Sequence, residues 1–99
     1  MKNEILGLMQ FHTKEDPVYS PEIEKKFEIT GCQVRDNIRE LRREGYPIAN
    51  TNGYFYATCW DEILPTIEDL HQRAMSLLVT EKALRKTFNK EEEFAFKEE

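Results

Sequence analysis

The stretch from Thr30 to Gly45 does most to limit what this chain can fold into. Thr30 is followed three positions later by Gln33, the pattern of a capping box, so a helix is expected to begin at Gly31. Val34, Ile38 and Leu41 then lie within about 60° of one another at 100° per residue, which gives that helix one apolar face. Gly45 stands where a left-handed residue would stop it. Just upstream, Ser20-Pro21-Glu22 is a second start signal: a hydroxyl cap, a proline at the first helical position and an acid in the positive first turn. Ile23 and Phe27, four apart, supply the apolar face of that shorter helix. Two helices separated by so few residues outline a helix-turn-helix.

The flanking segments extend the outline. Residues Asn3 to His12 read as a helix capped by Asn3, with Ile5, Leu6, Leu8 and Met9 as its apolar stripe. Lys14-Glu15-Asp16-Pro17 reads as a turn, and Val18-Tyr19 is long enough for a single bridge only. Beyond Gly45, Tyr46-Pro47-Ile48-Ala49 and Tyr54-Phe55-Tyr56-Ala57 are strand-like and flank Asn50-Thr51-Asn52-Gly53, whose Asn-Gly pair is a strong hairpin signal. Pro47 belongs at a strand start or edge, because it cannot donate to the ladder. Helix, short strand, helix, helix and hairpin make the order of a winged helix. A last helix is expected from Asp61 to Phe88, with Pro65 in its first turn. Ile67, Leu70, Ala74, Leu77, Leu84 and Phe88 keep an alternating spacing of three and four, broken by Glu81. That helix, roughly 40 Å long, is longer than a small domain can cover, so its stripe is expected to make a homodimer. The fold class is therefore mainly α with a small β-hairpin: a winged helix-turn-helix over residues 1–58, a dimerisation helix over 59–88, and an acidic tail over 89–99 expected to be disordered.

Charge and cysteine usage narrow the function. The chain of 99 residues carries a net charge of −5. Residues 1–58 hold eight Lys/Arg against nine Asp/Glu, and residues 59–99 hold six against ten, so the surplus acid is mostly C-terminal. No apolar run spans a bilayer, and Met1-Lys2-Asn3-Glu4-Ile5 lacks the apolar core of a signal peptide. Cys32 and Cys59 form no framework and no CxxC pair, which fits a reducing cytoplasm. His12, Cys32, Cys59 and His71 are dispersed without metal-ligand spacing, and there is no phosphate loop or nucleophile elbow. Neither a metal nor a cofactor is expected, nor an enzyme. Cys32, in a first helical turn, reads as a small, partly buried filler rather than a thiol with a lowered pKa.

The run Ser20-Pro21-Glu22-Ile23, then Val34-Arg35-Asp36-Asn37-Ile38-Arg39-Glu40-Leu41-Arg42-Arg43-Glu44-Gly45-Tyr46-Pro47-Ile48, then Gly53-Tyr54-Phe55-Tyr56, resembles the winged helix-turn-helix domain at the N-terminus of biotin-operon repressors. It resembles still more the small winged-helix proteins encoded by bacteriophages and prophages. The similarity covers roughly Asn3 to Thr58. It implies binding of double-stranded DNA inside a bacterial host cell, with the helix Gly31 to Glu44 in the major groove and the hairpin as the wing. The wing here carries no Lys or Arg, and the C-terminal helix is not part of the shared domain.

The residues of the recognition helix also speak for themselves. Arg35, Arg39, Arg42 and Arg43 place four guanidinium forks in nine residues, the donors that base edges and phosphates require. Asp36 shares their exposed side, and Gln33 lies near the helix N-terminus, where base contacts are usually made. The plainer reading is a solvated face in which Asp36, Glu40 and Glu44 offset the arginines. The capping box, the glycine stop and the Asn-Gly wing together favour DNA contact. Lys25 and Lys26 on the preceding helix, and Thr51 and Asn52 at the wing tip, either touch phosphates or are simply exposed polar residues. Tyr54, Phe55 and Tyr56 are expected in the core rather than as stacking platforms.

A rival reading belongs to a different class. Winged helices also act as protein-binding scaffolds, and the acidic balance with an uncharged wing suits a module whose long helix docks on a phage or host protein. The rival gains if Glu40, Glu44 and the tail neutralise the arginine face.

Overall fold

A computed structural model describes residues 1–88. Among them the elements are α1 (Lys2–Met9), α2 (Ser20–Phe27), α3 (Gly31–Arg43), β1 (Ile48–Asn50), β2 (Tyr54–Tyr56) and α4 (Trp60–Phe88). Val18 adds one isolated antiparallel bridge to Tyr54. The mainly helical fold with a small hairpin and a long C-terminal helix is thus observed, in the order expected. The expected acidic tail, residues 89–99, lies outside the described residues.

Capping chemistry explains the starts of α2 and α3, and three expected ends are corrected: the starts of α1 and α2 and the end of α1. α3 starts as its capping box requires: the Gln33 N–H donates to Thr30 Oγ1 at 3.1 Å and the Thr30 N–H donates to Gln33 Oε1 at 2.9 Å. Past its end Gly45 takes φ 104°, a left-handed conformation. In α2 the cap is Tyr19, whose N–H donates to Glu22 Oε1 at 3.0 Å. Ser20 is already helical, and its hydroxyl donates to Glu24 Oε2 at 2.8 Å. In α1 the cap is Met1 rather than Asn3, and the helix ends at Met9 instead of reaching His12. Beyond Met9 the Phe11 N–H donates to the Leu8 carbonyl at 3.1 Å and the His12 N–H to the Met9 carbonyl at 2.9 Å, tight i−3 bonds that close the last turn, and the His12 carbonyl accepts from the Tyr56 N–H at 3.1 Å.

The chain divides into two units, Met1–Ile67 and a second that begins at Glu68. In the first, Ile5 and Met9 of α1, Ile23 of α2, and Val34, Ile38 and Leu41 of α3 are buried together with Val18, Ile48 and Tyr54. Full burial of such a side chain stabilises by about 1.5–3 kcal/mol. The hairpin pairs Ile48 with Tyr56, Ala49 with Phe55 and Asn50 with Tyr54. Alternation along it turns Ile48 and Tyr54 to the helices, and Ala49 and Phe55 to the other face, where they cluster with Ala57 and Ile63. The Asn50 N–H donates to Thr66 Oγ1 at 2.9 Å, and Thr66 is buried. These contacts carry the first unit past the expected boundary at Thr58 as far as Ile67.

Pro65 also departs from expectation. α4 begins at Trp60, so the proline falls in the second turn and deprives the Asp61 carbonyl of its helical donor. In the second unit, the α4 residues Glu68 to Thr87 are all exposed. Ion pairs Asp69–Arg73 at 2.5 Å and Glu81–Arg85 at 2.6 Å run along that helix at i,i+4.

The hairpin turn depends on one glycine. Gly53 takes φ 108°, and a Cβ built there would lie 2.9 Å from both Pro17 Cβ and Tyr19 Cε1. Gly45 is equally left-handed but has open space around it. Gly53→Ala is therefore expected to destabilise the fold by about 2 kcal/mol or more, and Gly45→Ala by about 1 kcal/mol, read as shifts of the urea midpoint.

Candidate nucleic-acid interface

Burial of Val34, Ile38 and Leu41 sets the rotation of α3 about its axis, and so decides which side chains meet solvent. Measured from Val34 at 100° per residue, Arg42, Arg35, Arg39 and Arg43 occupy an arc from about 80° to 180°. Asp36, Glu40 and Glu44, with Gln33, occupy the next arc, from about 200° to 280°. The arginines and the acids therefore sit on two separate flanks of one exposed face.

Neighbouring elements reinforce the division. On the acidic flank, Lys2 of α1 pairs with Glu44 and lies 3.6 Å from Glu40. The hydrogen bond with Glu44 holds the Lys2 ammonium above the ordinary lysine pKa, with the charges of Glu44 and Glu40 adding to it. On the basic flank, Arg42 is half-buried and its Nε–H donates to the Ile48 carbonyl of β1 at 2.8 Å. One flank of α3 thus faces α1 and the other borders the hairpin.

Arg35, Arg39 and Arg43, at successive intervals of four, form an exposed ridge. Arg39 Nη1 lies 2.8 Å from Asp36 Oδ1, and both side chains are more than half exposed, so water and salt weaken that pair. Arg35 and Arg43 have no ion pair among the described residues.

The remaining expected residues are dispersed around this ridge. Gln33 is exposed, but its side-chain carbonyl accepts from Thr30 in the capping box, which leaves only its amide N–H groups for a base edge. Lys25 and Lys26 are exposed on the last turn of α2, with Lys26 Nζ 5.8 Å from the Phe27 ring centroid. Thr51 and Asn52 are exposed between β1 and β2. Tyr54 and Phe55 are buried, as expected of core residues. Glu24 of α2 lies beside the first turn of α3: its Oε2 would be 3.1 Å from a Cβ at Gly31. Among the described residues no three His, Cys, Asp or Glu side chains gather where they could hold a metal ion. The His12 ring is occupied in its own turn, Nδ1 donating to the Asp16 carbonyl at 2.8 Å.

Two roles have no signature in the local sequence. Lys2 carries none because its hydrogen-bond partner Glu44 is 42 positions away. Arg42 reads as one arginine of four, and only the return of the chain at Ile48 distinguishes it.

No family model matches the chain, and no curated protein or solved structure matches it.

The geometry separates Arg42 from its neighbours experimentally. Arg42→Ala is expected to lower stability by about 1–2 kcal/mol, since the Ile48 carbonyl loses a charged donor. Arg35→Ala and Arg43→Ala are expected to stay within about 0.5 kcal/mol of the parent chain. Thermal or urea denaturation of the three variants checks this.

Proposed function

We propose that this protein binds double-stranded DNA, with α3 in the major groove and the hairpin lying against the backbone as a wing. The observation that carries the reading is the ridge Arg35–Arg39–Arg43, exposed along one flank of α3 while Glu40 and Glu44 on the other flank are engaged by Lys2. An acidic chain can approach a polyanion only if its positive charge is segregated, and α3 segregates it. The ridge supplies donors for phosphates and for guanine edges. Arg42, bound to Ile48, is assigned to holding the wing rather than to the groove. Thr51 and Asn52 at the wing tip hydrogen-bond phosphates without charge, and Lys25 and Lys26 extend the backbone contacts.

The mechanism is binding alone, without catalysis. Together with the resemblance to small phage and prophage winged-helix proteins, this points to control of transcription or to phage DNA replication in the bacterial cytoplasm. Two copies joined through α4 present two such helices, as a homodimer reading a two-part site would require.

A protein-docking function is favoured by a different observation. Leu77 is 71% exposed and Leu84 65%, on an α4 in which no residue from Glu68 to Thr87 is buried. On that reading a phage or host protein covers α4, and the arginine ridge is solvated surface.

Fluorescence anisotropy with a random-sequence duplex separates the two. Micromolar affinity is expected at low salt, falling with salt at a log–log slope of about −0.9 for each phosphate neutralised. Arg39→Glu with Arg43→Glu is expected to abolish binding while circular dichroism shows an intact fold. Failure to bind at low salt, or unaltered affinity in the folded double variant, overturns the DNA reading.

A further inference from the structure

The spacing on α4 and the position of its one charged break say how two copies would meet. Leu70, Ala74, Leu77, Glu81 and Leu84 keep intervals of four and three, the a and d positions of a heptad, and all are exposed. Ile67 begins the same repeat in the sequence. Glu81 sits at an a position within this seam, held by Arg85 Nη2 at 2.6 Å and Nε at 3.1 Å.

We propose that α4 pairs with α4 of a second copy in the antiparallel sense. This rests on the homodimer reading above and adds its orientation. In a parallel pair each a residue faces its own counterpart. Glu81 would then meet Glu81, and Ala74 would meet Ala74, putting like charges and a void into adjacent parts of one seam.

Antiparallel pairing, centred on the repeat, removes both faults. Leu70 then faces Glu81 of the second copy, and Ala74 faces Leu77, so each small side chain meets a large one. The two Glu81 carboxylates move to opposite ends of the seam. Each comes beside His71 of the other copy, whose ring N–H can donate to it. His71 is exposed on α4, with Glu68 and Met75 as its helical neighbours. In a parallel pair His71 stays ten residues, about 15 Å, from either Glu81.

The orientation is read by cross-linking in full-length chain carrying Cys32→Ser and Cys59→Ser, since both native thiols are exposed. Sedimentation equilibrium first establishes the dimer. Leu70→Cys alone is expected not to cross-link, because its counterpart lies about 16 Å along the axis. A mixture of Leu70→Cys chains and Glu81→Cys chains is expected to give the mixed disulfide dimer on oxidation. His71→Glu, which brings a second acid beside Glu81, is expected to weaken the dimer roughly tenfold. Self-cross-linking of Leu70→Cys, or an unchanged dissociation constant in His71→Glu, overturns the antiparallel arrangement and leaves the homodimer standing. A dimer without any cross-link overturns this register. A monomer at all concentrations overturns the homodimer itself, and the anisotropy titration still reports separately on DNA.

Discussion

Burial of the row Val34, Ile38 and Leu41 is the constraint on which the rest of the first unit depends. A helix with one apolar row has a single rotation that removes that row from water, and three such side chains contribute several kcal/mol toward it. Once that rotation is set, the other side chains of α3 have no freedom to choose their side. The arginines go to one flank and the acids to the other because of where they stand relative to Val34. Electrostatics follows from packing here, since the pairing of Lys2 with Glu44 is exposed and weak next to the buried row.

The hairpin shows the same dependence from the other direction. Two strands of three residues are too short to be stable alone. They persist because both faces are covered, one by the helical core and the other, where Ala49 and Phe55 lie, by Ala57 and Ile63. Arg42 and Thr66 then satisfy backbone groups that the short ladder leaves over, the Ile48 carbonyl and the Asn50 N–H. The candidate wing is therefore carried by the end of α3 and the beginning of α4, and α4 belongs in part to the same unit as the hairpin.

The features legible in the amino-acid string are those that act over a short range. Thr30 and Gln33 are three apart, Asn52 and Gly53 are adjacent, and Val34, Ile38 and Leu41 repeat at helical spacing. Two of the departures from expectation lie beside contacts between residues far apart in sequence. After α1 the chain turns so that the His12 carbonyl meets the Tyr56 N–H, and the first unit runs on to Ile67, with Thr66 meeting Asn50. Ser20 illustrates a local competition: its hydroxyl bonds Glu24 instead of capping, so the helix begins one residue earlier. Of the candidate site, the arginine content of α3 is legible. The different use of Arg42 is not, because nothing near it in the chain announces the return of Ile48.

By itself, the sequence determined the number, kind and order of the elements and the buried row Val34, Ile38 and Leu41 of α3; of the other expected stripes Ile5, Met9 and Ile23 are buried, while Leu6, Leu8 and Phe27 are only partly so. Capping, turn chemistry and helical periodicity act over a handful of residues, so they can be read from a string. Only the tertiary structure decided which neighbour each flank of α3 meets, α1 by the acids and the hairpin by Arg42. That choice depends on residues far apart in sequence being brought within a few ångströms, and no local pattern encodes it.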